Sequence, residues 1–368
     1  MNKNTLLSMI AACSLIMISF QVTADTVTLN PDHPNRYTVV EGDTLWDISS
    51  RFLKDPWFWP DIWNVNPAIE NPHLIFPGDV ILLQMVDGQP VLTLERGQRL
   101  SDNQSKRLST RTAEGLGIVR LSPSVRASKL TEKAIPVIPN SAIKQFLQYP
   151  RIISERELDQ SGYLVASEDK GLISASNDKV YARAIEPNEQ TQYDILRMGK
   201  TYKRDDTWGS EILGYEMLRV ANAKITRYGD PATLVISSAN REVFVGDRLL
   251  PAIEEREMTM NYLPHPPENI VTGKIISVLD GVSRIGQFQT VVIDLGERDN
   301  IEAGHVLAIN TAGETIRDPV TSSWNNRVTL PDERSGTLMI IRPFERVSYA
   351  LVMEAYKDMK VFDTVTNP

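Results

Sequence analysis

The stretch from residue 37 to residue 83 alternates between apolar and polar positions in a way that predicts a strand followed by a helix. The strand is predicted from Tyr37 to Val40, and Gly42 ends it because glycine adopts a positive φ at low cost. A helix then begins after Asp43 or Thr44, either of which can cap it. Its apolar face repeats at helical spacing and consists of Leu45, Ile48 and Phe52.

The second part of this stretch predicts another helix and another strand. Pro60 suits the first turn of a helix that Pro67 stops. Asn71-Pro72 and Pro77-Gly78 are typical turn sequences, and Val80 to Leu83 are predicted to form the second strand. The predicted order is therefore strand, helix, helix, strand.

This order resembles the LysM domain, because Gly42-Asp43-Thr44-Leu45-Trp46 stands near its start and Pro77-Gly78-Asp79 near its end. The resemblance implies a βααβ domain over residues 37–84 that binds peptidoglycan or chitin, which are glycans that contain N-acetylglucosamine. The segment from Lys54 to Trp59 departs from common LysM sequences, since it makes the connection between the helices longer and more aromatic.

The resemblance also implies a shallow sugar groove between two loops. Backbone groups that secondary structure leaves unpaired in such loops can bind the N-acetyl group. The first wall of the groove is implied to consist of Gly42, Asp43, Thr44 and Leu45. The second wall is implied to consist of Pro67, Ala68, Ile69, Asn71, Leu74 and Ile75. The same residues also have a structural interpretation as turn, cap and core positions, and for Asp43 and Thr44 both interpretations stay open.

Four of the six tryptophans fall in this short stretch. An indole ring can stack on a sugar, but a small domain without disulfides also needs large side chains for its core. Helical spacing favours the core for Trp46 and Trp63. Trp57 follows Pro56 in a predicted loop and is the candidate for a glycan contact.

The chain beyond residue 120 is predicted to be rich in short strands. Three segments share a strand that begins at glycine, a second strand, and a turn that leads into a third strand. They begin at Gly214, Gly273 and Gly336, and their turns are Val245-Gly246-Asp247, Ala303-Gly304-His305 and Val361-Phe362-Asp363. The predicted fold class is α+β to mostly β, in which barrel- or sandwich-like units follow a small βααβ domain.

Residues 120–368 also resemble the C-terminal region of exported LysM-containing proteins from Gram-negative bacteria. The stretches that carry this resemblance are Asn240 to Pro251, Leu279 to Gln287 and Phe344 to Glu354. This resemblance implies export from the cytoplasm and a β-rich architecture, but it implies no enzyme activity or ligand for this region. The predicted organisation is a signal peptide (1–24), a lead-in (25–36), the LysM domain (37–84), a hairpin and linker (85–119), a β-rich domain (120–253), a proline-rich linker (254–269) and a second β-rich domain (270–368).

The first residues predict secretion into the periplasm. Lys3, an apolar run from Leu6 to Phe20 and the small-residue site Val22-Thr23-Ala24 are typical of a cleaved signal peptide. The run is short for a membrane span, so no span is expected after cleavage, and an uncleaved anchor is the alternative. Cys13 is the only cysteine, so the mature protein would have no disulfide and no catalytic thiol.

The net negative charge and the absence of catalytic sequence motifs argue against nucleic-acid binding and enzyme activity. Removal of Lys3 from the 39 basic residues leaves 38 against 47 acidic ones, and no basic run is present, so nucleic-acid binding is not expected. The histidines His33, His73, His265 and His305 show no H-E-x-x-H spacing, and no G-x-S-x-G motif occurs. No enzyme activity, metal or cofactor is therefore predicted.

The sequence thus predicts a non-catalytic protein that binds peptidoglycan and tethers a β-rich region to the cell wall. That region is predicted to bind a protein partner. Two alternatives stay open, namely a cell-wall hydrolase that uses an unrecognised pair of carboxylates and an envelope assembly protein that binds no glycan.

Overall fold

The structure is a computed structural model of the 368-residue chain. It describes residues 27–63, 75–86, 89–95, 136–139, 150–168, 173–187, 190–206, 209–252, 263–279, 284–320 and 326–368. The predicted signal peptide lies outside these ranges, as does the part of the predicted hairpin and linker beyond residue 95.

The N-terminal domain has the predicted strand, helix, helix, strand order. Its elements are β1 (Arg36–Thr38), α1 (Leu45–Phe52), a 3-10 helix (Pro56–Phe58), α2 (Trp59–Trp63), β2 (Val80–Val86) and β3 (Gln89–Glu95). β1 and β3 pair antiparallel with the two edges of β2. The 3-10 helix lies where the sequence predicted a loop, and it forms because the fixed φ of Pro56 suits a first helical turn.

Helix α1 begins where the capping signal predicted. Thr44 is its N-cap and accepts a hydrogen bond from the amide of Asp47 at 3.1 Å. The predicted apolar face of Leu45, Ile48 and Phe52 is fully buried. Local sequence signals therefore determine both where this helix starts and which side packs inward.

The middle of the chain forms a first barrel. β4 (Arg151–Ile153) and α3 (Glu155–Gln160) precede it. In ring order its six strands are β5 (Gly162–Ser167), β7 (Lys179–Arg183), β10 (Ala232–Ala239), β9 (Gly209–Arg227), β8 (Gln192–Asp206) and β12 (Arg248–Pro251). The ring is closed because β9 pairs with β10 as well as with β8. The short strands β6 (Ile173–Ser174) and β11 (Val243–Phe244) pair with each other beside the ring.

The C-terminal part forms a second closed barrel. Its ring order is β13 (Thr272–Val278), β15 (Thr290–Ile293), β20 (Ser348–Ala355), β19 (Glu333–Pro343), β16 (Val306–Thr311) and β22 (Thr364–Thr366). β14 (Arg284–Ile285) pairs with β21 (Met359–Lys360), and β17 (Thr315–Arg317) pairs with β18 (Arg327–Thr329). The prediction of a mostly β chain with barrel-like units is confirmed.

The two barrels share one topology. In both rings the first strand in sequence neighbours the second and the sixth, and the second neighbours the fifth. Each ring therefore consists of two halves of three strands. The three predicted repeat segments are the second half of the first barrel and both halves of the second. The sequence prediction missed the fourth half, β5, β7 and β8, because no glycine turn stands before β8.

One turn recurs in the N-terminal domain and in both barrels. The amide of its fourth residue donates to the carbonyl of the first, and an aspartate side chain at the fourth position accepts from the amide of the first. The third residue has a positive φ, as in type II turns. The turn occurs at residues 40–43, 76–79, 175–178, 244–247 and 360–363. It explains why the Gly-Asp pairs of the sequence precede strands and helices.

Among the described residues, no helix is long and apolar enough to span a membrane.

Candidate functional site

The turn of the first wall is closed by its own side chains. Gly42 is exposed and has a φ of 97°. The Asp43 carboxylate accepts from the Val40 amide and from the Tyr37 hydroxyl, both at 2.9 Å. Burial and this bond to Asp43 raise the pKa of Tyr37. The same closure at Asp79, Asp247 and Asp363 shows that the turn alone explains an aspartate at position 43.

The other two residues of the first wall have side chains that are used internally. The Thr44 hydroxyl donates to the Asp47 carboxylate at 2.7 Å and accepts from the Asp47 amide. The Leu45 side chain is fully buried. A ligand at this wall could therefore bind only backbone N–H and C=O groups and the exposed surface at Gly42.

Two backbone donors of this wall contact a segment that sequence analysis did not select. The Leu45 amide donates to the Pro136 carbonyl at 3.0 Å, and the Trp46 amide donates to the Val137 carbonyl at 3.4 Å. Pro136 and Pro139 fall in the predicted β-rich domain (120–253), and the sequence indicated no role for them. The apolar pair Val137-Ile138 between the two prolines was a signal for a buried segment, but nothing local indicates where it packs.

The second wall is described only at its end. Ile75 is fully buried in the same cluster as Leu45. Pro67, Ala68, Ile69, Asn71 and Leu74 lie outside the described residues. The structure therefore tests neither their positions nor their predicted contact with a glycan.

Comparison with known proteins gives residues 37–84 a family, since they match the LysM domain. These residues form a LysM domain. The uncharacterized protein YqbP of Bacillus subtilis (strain 168) is similar to the chain, with 44% identity over 55 residues. The matched part is 12% of this chain and 25% of YqbP, so the chain spans about a quarter of that relative. A LysM domain implies the binding of glycans of the peptidoglycan or chitin type.

The LysM domain packs against the second barrel, and this contact corrects the prediction for Trp57. Its side chain is only 4% exposed and cannot offer a free face to a sugar. One face is covered by the Arg334 guanidinium, which lies 5.4 Å from the ring centroid. The ring centroid of Trp46 lies 6.5 Å from that of Trp57. The prediction failed because Arg334 is remote in sequence.

Trp46 lies at the same junction. It is buried in a cluster that also contains Met339 and Met353 of the second barrel. Burial raises the pKa of Glu354 in this region, and the hydrogen bond from the Tyr356 hydroxyl acts in the opposite direction. The LysM domain and the second barrel therefore share a buried apolar interface.

In the part of the chain that the structure describes, one group of side chains brings together the donor atoms that a metal ion would need. His265, Glu302 and His305 place one such atom each within 4.8 Å of one another, although the two histidines are distant in sequence. However, His305 Nδ1 accepts a hydrogen bond from the Glu302 amide at 3.1 Å. The neutral ring then carries its proton on Nε2, so that nitrogen has no lone pair for a metal. His305 instead occupies the aspartate position of the recurring turn.

This turn predicts a pH dependence for the second barrel. Burial, helped by the nearby His265, lowers the pKa of His305, whereas Glu302 and Glu268 act in the opposite direction. The folded state thus favours the neutral ring, and His305 contributes stability that is lost as the pH falls below 6.5 and through the lowered pKa. We expect His305→Asp to keep the turn and to remove much of the stability loss between pH 7.5 and about pH 5.

Thermal unfolding of the full chain at both pH values measures this effect. His33→Asp, which makes the same change outside the barrel, serves as the matched control and should keep the wild-type dependence. An unchanged dependence in His305→Asp would contradict the assignment.

Proposed function

We propose that this protein is exported and non-catalytic, and that its LysM domain binds peptidoglycan strands and holds the two barrels at the cell wall. The observation that carries the proposal is the LysM domain at residues 37–84, with both of its signature turns closed in the same way. The predicted signal peptide supports the periplasm as the compartment.

The affinity of this interaction is expected to be modest. One LysM domain matches in this chain, and a shallow groove buries little surface. Tandem modules reach high avidity because the second binding event is intramolecular. A single module fits a protein that stays near the wall and exchanges between sites.

We assign the barrels to binding a protein partner. Among the described strands, β17 and β18 pair only with each other, so the outer edge of each is unpaired. Ile316 and Val328 are exposed on this hairpin. Unpaired edges with exposed apolar side chains are suited to strand addition by another protein.

Co-sedimentation of the full-length protein with purified peptidoglycan tests the glycan part of this proposal. Ile69→Asp, in the second wall that the family resemblance implies, should lower the retained fraction at least about tenfold, because a charge replaces an apolar contact with the acetyl methyl. Val86→Asp places the same charge at an exposed position of β2 and should bind like the wild type.

Equal retention of both variants would show that the family groove is not the binding site. Release of soluble muropeptides by the wild-type protein would contradict the non-catalytic assignment.

A further inference from the structure

We propose that residues 136–139 form a strap that occupies the first wall of the LysM groove and must leave before a glycan binds there. The inference rests on the proposed function, since it concerns the regulation of the same site. The strap has the sequence Pro136-Val137-Ile138-Pro139 and lies against the start of α1.

The strap uses the hydrogen-bond donors that the first wall would offer to a sugar. The first amides of a helix have no partner within the helix and need one from elsewhere. In α1 the Leu45 and Trp46 amides donate to the strap, and the Asp47 amide donates to Thr44. No amide of the first three positions of α1 is left for an N-acetyl carbonyl while the strap is in place.

The strap also fills apolar space beside the wall. Val137 is 7% exposed and Ile138 is 2% exposed. Both belong to one buried cluster with Leu45 of the first wall and Ile75 of the second. The strap side chains therefore occupy the apolar surface of the wall that the methyl group of an N-acetyl sugar would otherwise cover.

The chemistry of the strap imitates that of the ligand. An N-acetyl group presents a carbonyl oxygen next to a small apolar group, and the strap presents two carbonyls next to Val137 and Ile138. The flanking prolines restrict the backbone, so little conformational entropy is lost when the strap docks. The strap and the glycan therefore compete for the same donors.

Competition of this kind lowers the apparent affinity in proportion to the fraction of open molecules. A strap that is docked in about nine of ten molecules weakens glycan binding about tenfold. The LysM domain would then reach its full, still modest affinity only when another event, such as engagement of the barrels by a partner, removes the strap.

Isothermal titration calorimetry of the full-length protein with chitohexaose tests this inference. Val137→Ser with Ile138→Ser weakens strap docking and should tighten binding about tenfold, since the open fraction rises toward one. The matched control is Ile270→Ser with Val320→Ser, which makes the same type of change at residues that are 93% and 89% exposed. The control should bind like the wild type.

NMR spectra of the unmodified protein provide a second measurement that does not depend on how the variant folds. With saturating chitohexaose, the Val137 and Ile138 methyl signals should shift because these side chains leave the buried cluster, whereas the Leu45 and Trp46 amides should stay protected from hydrogen exchange by the sugar. Unchanged Val137 and Ile138 methyl signals with bound sugar would overturn the strap.

The outcomes separate the two proposals. If wild type and strap variant bind chitohexaose equally, or the variant binds more weakly, the strap inference is wrong and the glycan-binding function stands. If no form binds chitohexaose or peptidoglycan, the proposed function itself fails, and the strap inference fails with it.

Discussion

Replacement of Trp46 by alanine is expected to lower the free energy of unfolding of the LysM domain by about 3–5 kcal/mol, the usual cost of removing a buried tryptophan. The side chain is 2% exposed and belongs to a buried cluster with Val137 of the strap and with Met339 and Met353 of the second barrel. Its ring centroid lies 6.5 Å from that of Trp57, and the Trp46 backbone amide donates to the strap. The cavity would thus open at the point where the LysM domain, the strap and the second barrel meet.

Thermal unfolding of the full-length protein measures this effect, and the transition that involves the LysM domain should fall by at least roughly 10 °C. Trp46→Phe is the matched control, because it keeps most of the apolar volume and loses only the indole N–H and part of the ring. It should lie much nearer the wild type. A Trp46→Ala protein that melts like the wild type would show that this junction contributes little to stability.

The parts of the fold that sequence predicts correctly depend on neighbours along the chain. Thr44 and Asp47 are three positions apart, so the start of α1 is visible as a local pattern. The Gly42-Asp43 turn is equally local, because the aspartate closes on the amide of Val40. These short-range contacts also make the LysM resemblance recognisable from one sequence.

The parts that sequence missed depend on residues far apart. Trp57 was predicted to be a surface aromatic, but the distant Arg334 lies over its ring. The strap at Pro136 and Val137 likewise contacts α1 from a remote position. An apolar pair between prolines indicates burial, but periodicity holds no information about the partner. Sequence therefore identified the local turn and helix cap of this segment but not the remote residues that contact them.

The barrels were predicted in part from the sequence. Glycine turns before strands indicated a repeat, and three of the four half-rings were found. His305 closes a turn in which the comparable residues, Asp247 and Asp363, are aspartates. A Gly-Asp pattern identifies Asp247 but neither Asp363, which follows Phe362, nor His305.

A glycine in this turn avoids two energetic costs, the strain of a positive φ and a steric clash of Cβ, and a comparison of Gly304 with Gly246 distinguishes them. Both occupy the third position of the recurring turn, with φ of 98° and 93°. An alanine at either site would incur the strain of a positive φ, which costs about 1–3 kcal/mol. At Gly304 the new Cβ would also lie 2.5 Å from the Leu263 carbonyl oxygen, whereas at Gly246 nothing lies within 4 Å.

We therefore expect Gly304→Ala to destabilise the second barrel by about 1–3 kcal/mol more than Gly246→Ala destabilises the first, because overpacking adds to the backbone strain. Urea unfolding of the full chain, followed by hydrogen exchange of peptides from each barrel, reports the two free energies separately. Backbone movement that would relieve the clash is costly because two hydrogen bonds hold this residue. The Gly304 amide donates to the Ile340 carbonyl at 2.8 Å, and the Gly304 carbonyl accepts from the His265 amide at 3.1 Å. Equal losses in the two barrels would mean that the segment at Leu263 yields to the methyl group, and that the contact between this segment and the second barrel is loose.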